Sequence, residues 1–421
     1  MLRKAPSPTA GQPVVSTSQP LRQMTTAFDD ALDSALADQR IVGCVLLVSE
    51  KGRIIFERAA GLADRETGRP MAIDTPFRYA SVTKPFTTMA ALKLMEAGVL
   101  SADDPIDKWL PSFAPTTADG TAAHITVAHL MSHTAGLDYG FQQERDGIYA
   151  RSGISDGLDE ANLSLADNIA RIASVPLNSA PGAAWRYSVA IDVLGGVIEA
   201  VTGKSLPEAI ANLVTGPLGL AASFHAVPDE LATPYYAGAP APIRMAGVTE
   251  VPLPAYLGSA VRFDPARIGR VSAFPSGGAG MAGTAHDVMR LLEAYRDGTF
   301  LSAARRQEAQ KVRVGGEAMT QGPGWGFSWA GAVLVDPVVA NSTLSSGTVS
   351  WGGVYGHWWC VDHQRERIAV LLTNTAYEGM IGRLTQDIAK ALAANSARSA
   401  NKRRPALTSR PAHPLAHTSA N

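Results

Sequence analysis

A serine and a lysine stand three residues apart in Ser81-Val82-Thr83-Lys84, just ahead of a long apolar run. Residues at this spacing share one face of a helix, so the amine can reach the hydroxyl. The pair suits nucleophilic catalysis, in which the amine takes the hydroxyl proton and the oxygen attacks a carbonyl. A helix N-terminus adds unpaired N–H groups and a dipole that favours a negative oxygen. The spacing alone is common by chance, and a plain N-cap serine with a surface lysine reads the same way.

Two further segments could complete such a site. Tyr187-Ser188-Val189 follows Pro181-Gly182 and precedes a helical pattern from Ile191 to Val201. A phenol there can relay a proton between Ser81, Lys84 and a leaving group, although a packed aromatic with a wet tip is the commoner role of a single tyrosine. Trp351-Gly352-Gly353-Val354-Tyr355-Gly356 reads as part of one strand, Val349 to Val361. Glycines inside a strand mark a close approach to the backbone. The N–H groups of Ser81 and Val354 would then form an oxyanion hole. Trp351, Tyr139 and His357 are candidates for the substrate-binding wall.

In this order and layout the three motifs resemble the serine β-lactamase and penicillin-binding-protein group, and within it the class C-like family VIII carboxylesterases. The resemblance spans about residues 23–395. His133-Thr134-Ala135-Gly136-Leu137 and Ser276-Gly277-Gly278-Ala279-Gly280 look like that group's recurring loops. It implies Ser81 as nucleophile and Lys84 with Tyr187 as the acid/base pair. It also implies hydrolysis of small carboxylic esters without a metal or organic cofactor. Two departures bear on substrate. Val189 stands where the lactamase pattern has asparagine, and Trp351-Gly352-Gly353 stands where it has Lys-Thr-Gly. A β-lactam carboxylate loses a charge-assisted partner there, worth roughly 1.5–3 kcal/mol. Ester hydrolysis is therefore favoured over β-lactam hydrolysis. The alternatives are a β-lactamase, a D-amino-acid amidase or peptidase of the same fold, an acyltransferase, and a non-catalytic binder of cell-wall fragments.

Gly153-Ile154-Ser155-Asp156-Gly157 matches the G-x-S-x-G nucleophile elbow. That motif needs an apolar strand before it and a helix after it. Polar residues 143–152 precede it, so a surface turn is expected. His133 or His357, with Asp362 as orienter, could serve a Ser-His-Asp triad, but Lys84 and Tyr187 already supply the base. No histidine spacing suggests a metal.

The elements that must position these groups follow from pattern. A helix is expected at 25–38, a hairpin at 42–59 and a buried helix from Ser81 to Val99, apolar on most sides. Helical signals fill much of 101–226. Residues 227–270 read as a long loop region. A helix at 284–297 precedes strands at 326–335, 349–361 and 368–374, and a last helix runs about 378–394. The fold class expected is α+β: an antiparallel sheet built from both chain ends, flanked by helices, with a mainly helical insertion. The sheet unit would comprise 23–80 and 271–395 and the helical unit 81–270, between disordered tails at 1–22 and 396–421.

The 421 residues are 46% hydrophobic and 18% charged, a globular composition. The net charge of −1 divides into +3 over 1–22, +5 over 396–421 and −9 between them. Nothing in that balance points to nucleic acid or membrane, and no obligate protein partner is evident. The run Lys402-Arg403-Arg404 reads as a solvated tail. Cys44 and Cys360 read as buried reduced thiols. With no apolar leader and no membrane-length run, the expectation is a cytoplasmic enzyme whose partner is a small-molecule ester.

Overall fold

The computed structural model describes residues 19–298 and 300–393. The first helix, α1 (Gln19–Ala37), buries Met24, Phe28, Ala31, Leu32 and Ala35, a stripe at helical spacing. It begins earlier than the sequence pattern suggests. Gln19 to Arg22, read as tail, are helical, because Pro20 is tolerated in a first turn and Leu21 extends the stripe. The rest of the expected N-terminal tail, and the C-terminal one, lie outside the described residues.

An eight-stranded sheet forms the centre. Its strands are β1 (Gly43–Glu50), β2 (Arg53–Asp64), β3 (Arg69–Pro70), β4 (Trp325–Phe327), β5 (Ala332–Leu334), β6 (Val349–Gly353), β7 (His357–Asp362) and β8 (Arg367–Thr373). Their spatial order is β4-β5-β6-β7-β8-β1-β2-β3, antiparallel throughout. The two chain ends meet in the middle, where β1 pairs with β8 from Cys44↔Thr373 to Glu50↔Arg367. Side chains alternate between faces with period two. Cys44, Leu46 and Val48 face α1 and α5 (Arg383–Ala393), while Val45 and Leu47 join the larger core. Both cysteines are free and buried, and burial pushes the Cys44 thiol up to about 12.

The larger core holds α2 (Lys84–Glu96), α3 (Ala190–Thr202) and α4 (Ala285–Asp297). Every residue of α2 is buried except Lys93 and Glu96, as its all-round apolar wheel requires. Gly98, at φ +73°, lets the chain turn where a Cβ would be strained. Thr284 caps α4, its hydroxyl accepting from the Asp287 N–H while the Asp287 carboxylate accepts from the Thr284 N–H.

Three readings are corrected. The buried helix starts at Lys84, and Ser81 lies in a separate 3-10 turn, Ala80–Thr83. The expected strand 349–361 is two strands, because the chain reverses at Val354–Gly356 with Gly356 at φ +108°. The loop region 227–270 contains two small ribbons, Tyr235–Tyr236 with Ile243–Arg244 and Thr249–Pro252 with Ala260–Phe263. No helix among the described residues is long and apolar enough to cross a membrane.

Candidate active site

The turn carrying Ser81 is tied down on both sides. The two-residue strand Phe77–Arg78 pairs antiparallel with Ala282–Gly283. The Tyr79 N–H donates to the Met281 carbonyl at 2.9 Å, and the Met281 N–H donates to the Thr83 hydroxyl at 3.1 Å. Ala80 is held at φ +47°, a left-handed conformation that costs a residue with a Cβ about 1–2 kcal/mol. Gly353, at the end of β6, passes so close that a Cβ there would lie 2.5 Å from the Tyr79 carbonyl oxygen. The expected close approach is therefore made by the chain just before Ser81.

Two groups converge on the Ser81 hydroxyl, and a third backs one of them. The Tyr187 hydroxyl donates to Ser81 Oγ at 2.6 Å, and Lys84 Nζ donates to it at 3.2 Å. The Trp351 indole N–H reaches the Tyr187 oxygen at 3.4 Å. Lys84 Nζ also donates to the Tyr139 hydroxyl at 2.8 Å and to the Gly278 carbonyl at 2.9 Å. These three contacts hold the Lys84 nitrogen beside Ser81. The amine also lies 4.6 Å from the Tyr187 ring centre, a cation–π distance.

Tyr139 is 2% exposed, so it meets the site as a partner of the amine rather than as an open wall. Burial, and then the neighbouring Tyr187, push its phenol well above the usual range, so it stays protonated. At Gly278 a Cβ would lie 2.6 Å from Asp192 Oδ2 and 3.0 Å from the Tyr139 hydroxyl, so a larger residue would push on both side chains. Asp192 is fully buried on α3, where the Ser276 hydroxyl donates to its Oδ1 at 2.5 Å. Burial raises its pKa, opposed by the Ser276 hydrogen bond and by Lys84.

A second carboxylate organises the tyrosines. Asp138, 1% exposed, accepts from Arg186 Nε at 2.7 Å and Nη2 at 2.9 Å, and from its neighbour's backbone, the Tyr139 N–H, at 2.9 Å. Gln142 Nε2 donates both to Asp138 and to the Tyr187 carbonyl. One carboxylate thus fixes the segments that carry Tyr139 and Tyr187. Asp138→Ala is expected to destabilise the fold by about 3 kcal/mol. That is the low end for a broken buried ion pair, because Arg186 is 41% exposed and its freed charge is hydrated. Urea unfolding would measure the loss, and a change under about 1 kcal/mol would contradict this role.

Neither His133 nor His357 forms a triad with Ser81. His133 Nδ1 accepts the Ser188 N–H at 3.2 Å, which leaves the proton on Nε2. Burial and then Lys84 push its pKa well below the usual value, so the ring is neutral. The His357 reading is corrected: the residue is buried, and its Nε2 bonds the Arg78 carbonyl at 2.8 Å. The reversal at Val354–Gly356 turns it away from the site, and burial drops its pKa to about 4. Asp362 is held by Arg365 Nη1 at 2.6 Å and by Ser345. Ser155 is buried, with its hydroxyl donating to Asp159 at 2.5 Å. Its neighbour Asp156 caps the Gly140 and Phe141 N–H groups, which supports the Tyr139 loop. The segment starts at the surface, as expected, with Gly153 exposed, but runs inward so that Ile154, Ser155 and Gly157 are buried.

Sequence reasoning missed Asp138, Arg186, Asp192 and the Gly278 carbonyl. A usable signal existed for Asp192 alone: an acid inside the apolar helical run 190–198. Among the described residues, no group of three His, Cys, Asp or Glu side chains is placed to hold a metal ion.

A serine, a lysine and a tyrosine converging beside an antiparallel sheet define the architecture of the penicillin-recognising serine enzymes and their relatives. Residues 28–393 match the Beta-lactamase family, and the chain belongs to it. It is 48% identical over 365 residues to Esterase EstB of Burkholderia gladioli, covering 86% of this chain and 93% of that one. The solved structure of EstCE1, described as a hydrolase with promiscuous acyltransferase activity, superposes with a TM-score of 0.88. It shares 42% identity and covers 89% of this chain and 100% of its own. A more distant relative is monacolin J acid methylbutanoyltransferase of Aspergillus terreus, 29% identical over 223 residues, 49% of this chain and 52% of that one. The family and the α+β, both-ends-in-one-sheet architecture expected from sequence are thereby established.

Proposed function

We propose that the protein is a serine carboxylesterase that hydrolyses short-chain esters through an acyl-enzyme on Ser81. The observation that carries this reading is a single hydroxyl within hydrogen-bond reach of both a phenol and an amine. Lys84, as the free amine, takes the Ser81 proton as Oγ attacks the ester carbonyl, with the Tyr187 hydroxyl beside it as the partner in proton transfer. The oxyanion is held by the N–H groups of Ser81 and Val354. Tyr187 returns a proton to the departing alcohol, and water then adds to the acyl carbonyl and releases the acid. The cycle uses side chains and backbone alone.

The names of the relatives support ester chemistry. Trp351 supports it independently, since an indole packed 5.0 Å from the Tyr187 ring stands where a β-lactam carboxylate would need a cation. The losses expected there, about 1.5–3 kcal/mol, correspond to about 10–150-fold in rate. Turnover of p-nitrophenyl butyrate should therefore exceed that of nitrocefin by at least this factor. Equal rates, or faster nitrocefin, would sink the esterase reading in favour of the lactamase one. The site lies at the seam of the proposed sheet unit (23–80 and 271–395) and helical unit (81–270). A cytoplasmic location and action without a protein partner complete the reading.

A further inference from the structure

A second pocket lies apart from Ser81, Lys84 and Tyr187, none of which lines it. Its walls include Arg78, Arg267, Phe274, Tyr355 and residues 279–281. We infer that this pocket binds one small monovalent anion, of about the size of chloride, between the Arg78 and Arg267 guanidiniums.

Both arginines are buried, at 8% and 7% exposure. Arg78 donates to the carbonyls of Pro265 (2.7 Å), Ala232 (3.1 Å) and Pro228 (3.3 Å). Arg267 donates to those of Asp159 (3.1 Å), Ala161 (3.4 Å) and Phe274 (2.8 Å). All six acceptors are neutral. A guanidinium has five N–H bonds, so each arginine keeps donors beyond these three. Among the described residues, neither arginine makes an ion pair. Asp264 also lines the pocket, but it is already paired with Arg270, another lining residue. The lining therefore carries three guanidiniums and one carboxylate. Asp229 acts on Arg78, and Asp159 and Asp192 act on Arg267, through space only.

Two buried cations without contacting counter-charges are expensive in a low-dielectric interior. Pinning loops explains the carbonyl contacts but not the open space shared by the two side chains. That space is about 30 Å³, against the roughly 10–15 Å³ that admits one water. A space of that size admits a halide-sized ion. Tyr355 is held as a neutral phenol, pushed up to about 12 by burial, and does not compete as an anion. The pocket also touches the reaction centre indirectly. Tyr355 follows Val354, and Ala279 follows Gly278, whose carbonyl holds Lys84.

The test uses the full chain in two arms. A crystal grown in sodium bromide should show an anomalous peak in this pocket, in hydrogen-bond range of both guanidiniums. At fixed ionic strength, replacing gluconate by chloride should raise Tm by about 2–4 °C, and Arg267→Gln should abolish that rise. An empty pocket in bromide, equal Tm values in the two salts, or an undiminished rise in a folded R267Q would each overturn the inference. If R267Q does not fold, the bromide crystal of the unsubstituted protein decides.

Discussion

Ser81→Ala is expected to lower kcat/KM for p-nitrophenyl butyrate by about 10⁴-fold or more, as loss of a nucleophile does in comparable enzymes. No neighbouring hydroxyl can substitute. The Tyr187 oxygen sits 2.6 Å from Ser81 Oγ as its hydrogen-bond partner, and Ser155 is engaged by Asp159 in the interior. Mass spectrometry after brief exposure to a slow ester should show the protein heavier by one acyl group in the wild type and unchanged in the variant. An adduct that persists in Ser81→Ala would overturn the proposed assignment.

Lys84→Met is expected to cost about 10²–10⁴-fold in kcat, the range for removal of a general base. Methionine keeps most of the buried volume, so α2 should still pack. The substitution also strands the Gly278 carbonyl and the Tyr139 hydroxyl. Each orphaned buried group costs about 1–3 kcal/mol, so a folded but less stable protein is expected. Circular dichroism would establish folding before rates are compared. A folded variant that keeps kcat within tenfold of wild type would mean that the amine is not the base.

What the sequence made legible was local. Ser81 and Lys84 are one helical turn apart, and their meeting needs only that turn. The apolar run of β1 ahead of its Gly-containing turn and the all-apolar wheel of α2 are likewise properties of short windows. What it hid was long-range or depended on one reversal. Tyr139 is legible as a nearby aromatic, but its bond to an amine 55 residues away is not. His357 was misplaced because Val349 to Val361 is apolar enough to pass for one strand. The left-handed glycine at 356 folds that run back on itself and pairs His357 with Gly353. Asp138 stands in a polar loop, where a carboxylate is ordinary, and only the fold shows that its partners surround it.

The pairing of β1 with β8 has a consequence for biosynthesis. Cys44 and Thr373 face each other across the middle of the sheet, so the N-terminal hairpin emerges from the ribosome long before its inner neighbour exists. Throughout that interval β1 presents an unpaired apolar edge, the kind of surface that recruits chaperones or other nascent chains. A chain ending at residue 360 should therefore collapse into a protease-sensitive, aggregating species rather than a stable half-protein. A soluble, protease-resistant fragment of that length would show that the sheet does not need its last strand to form.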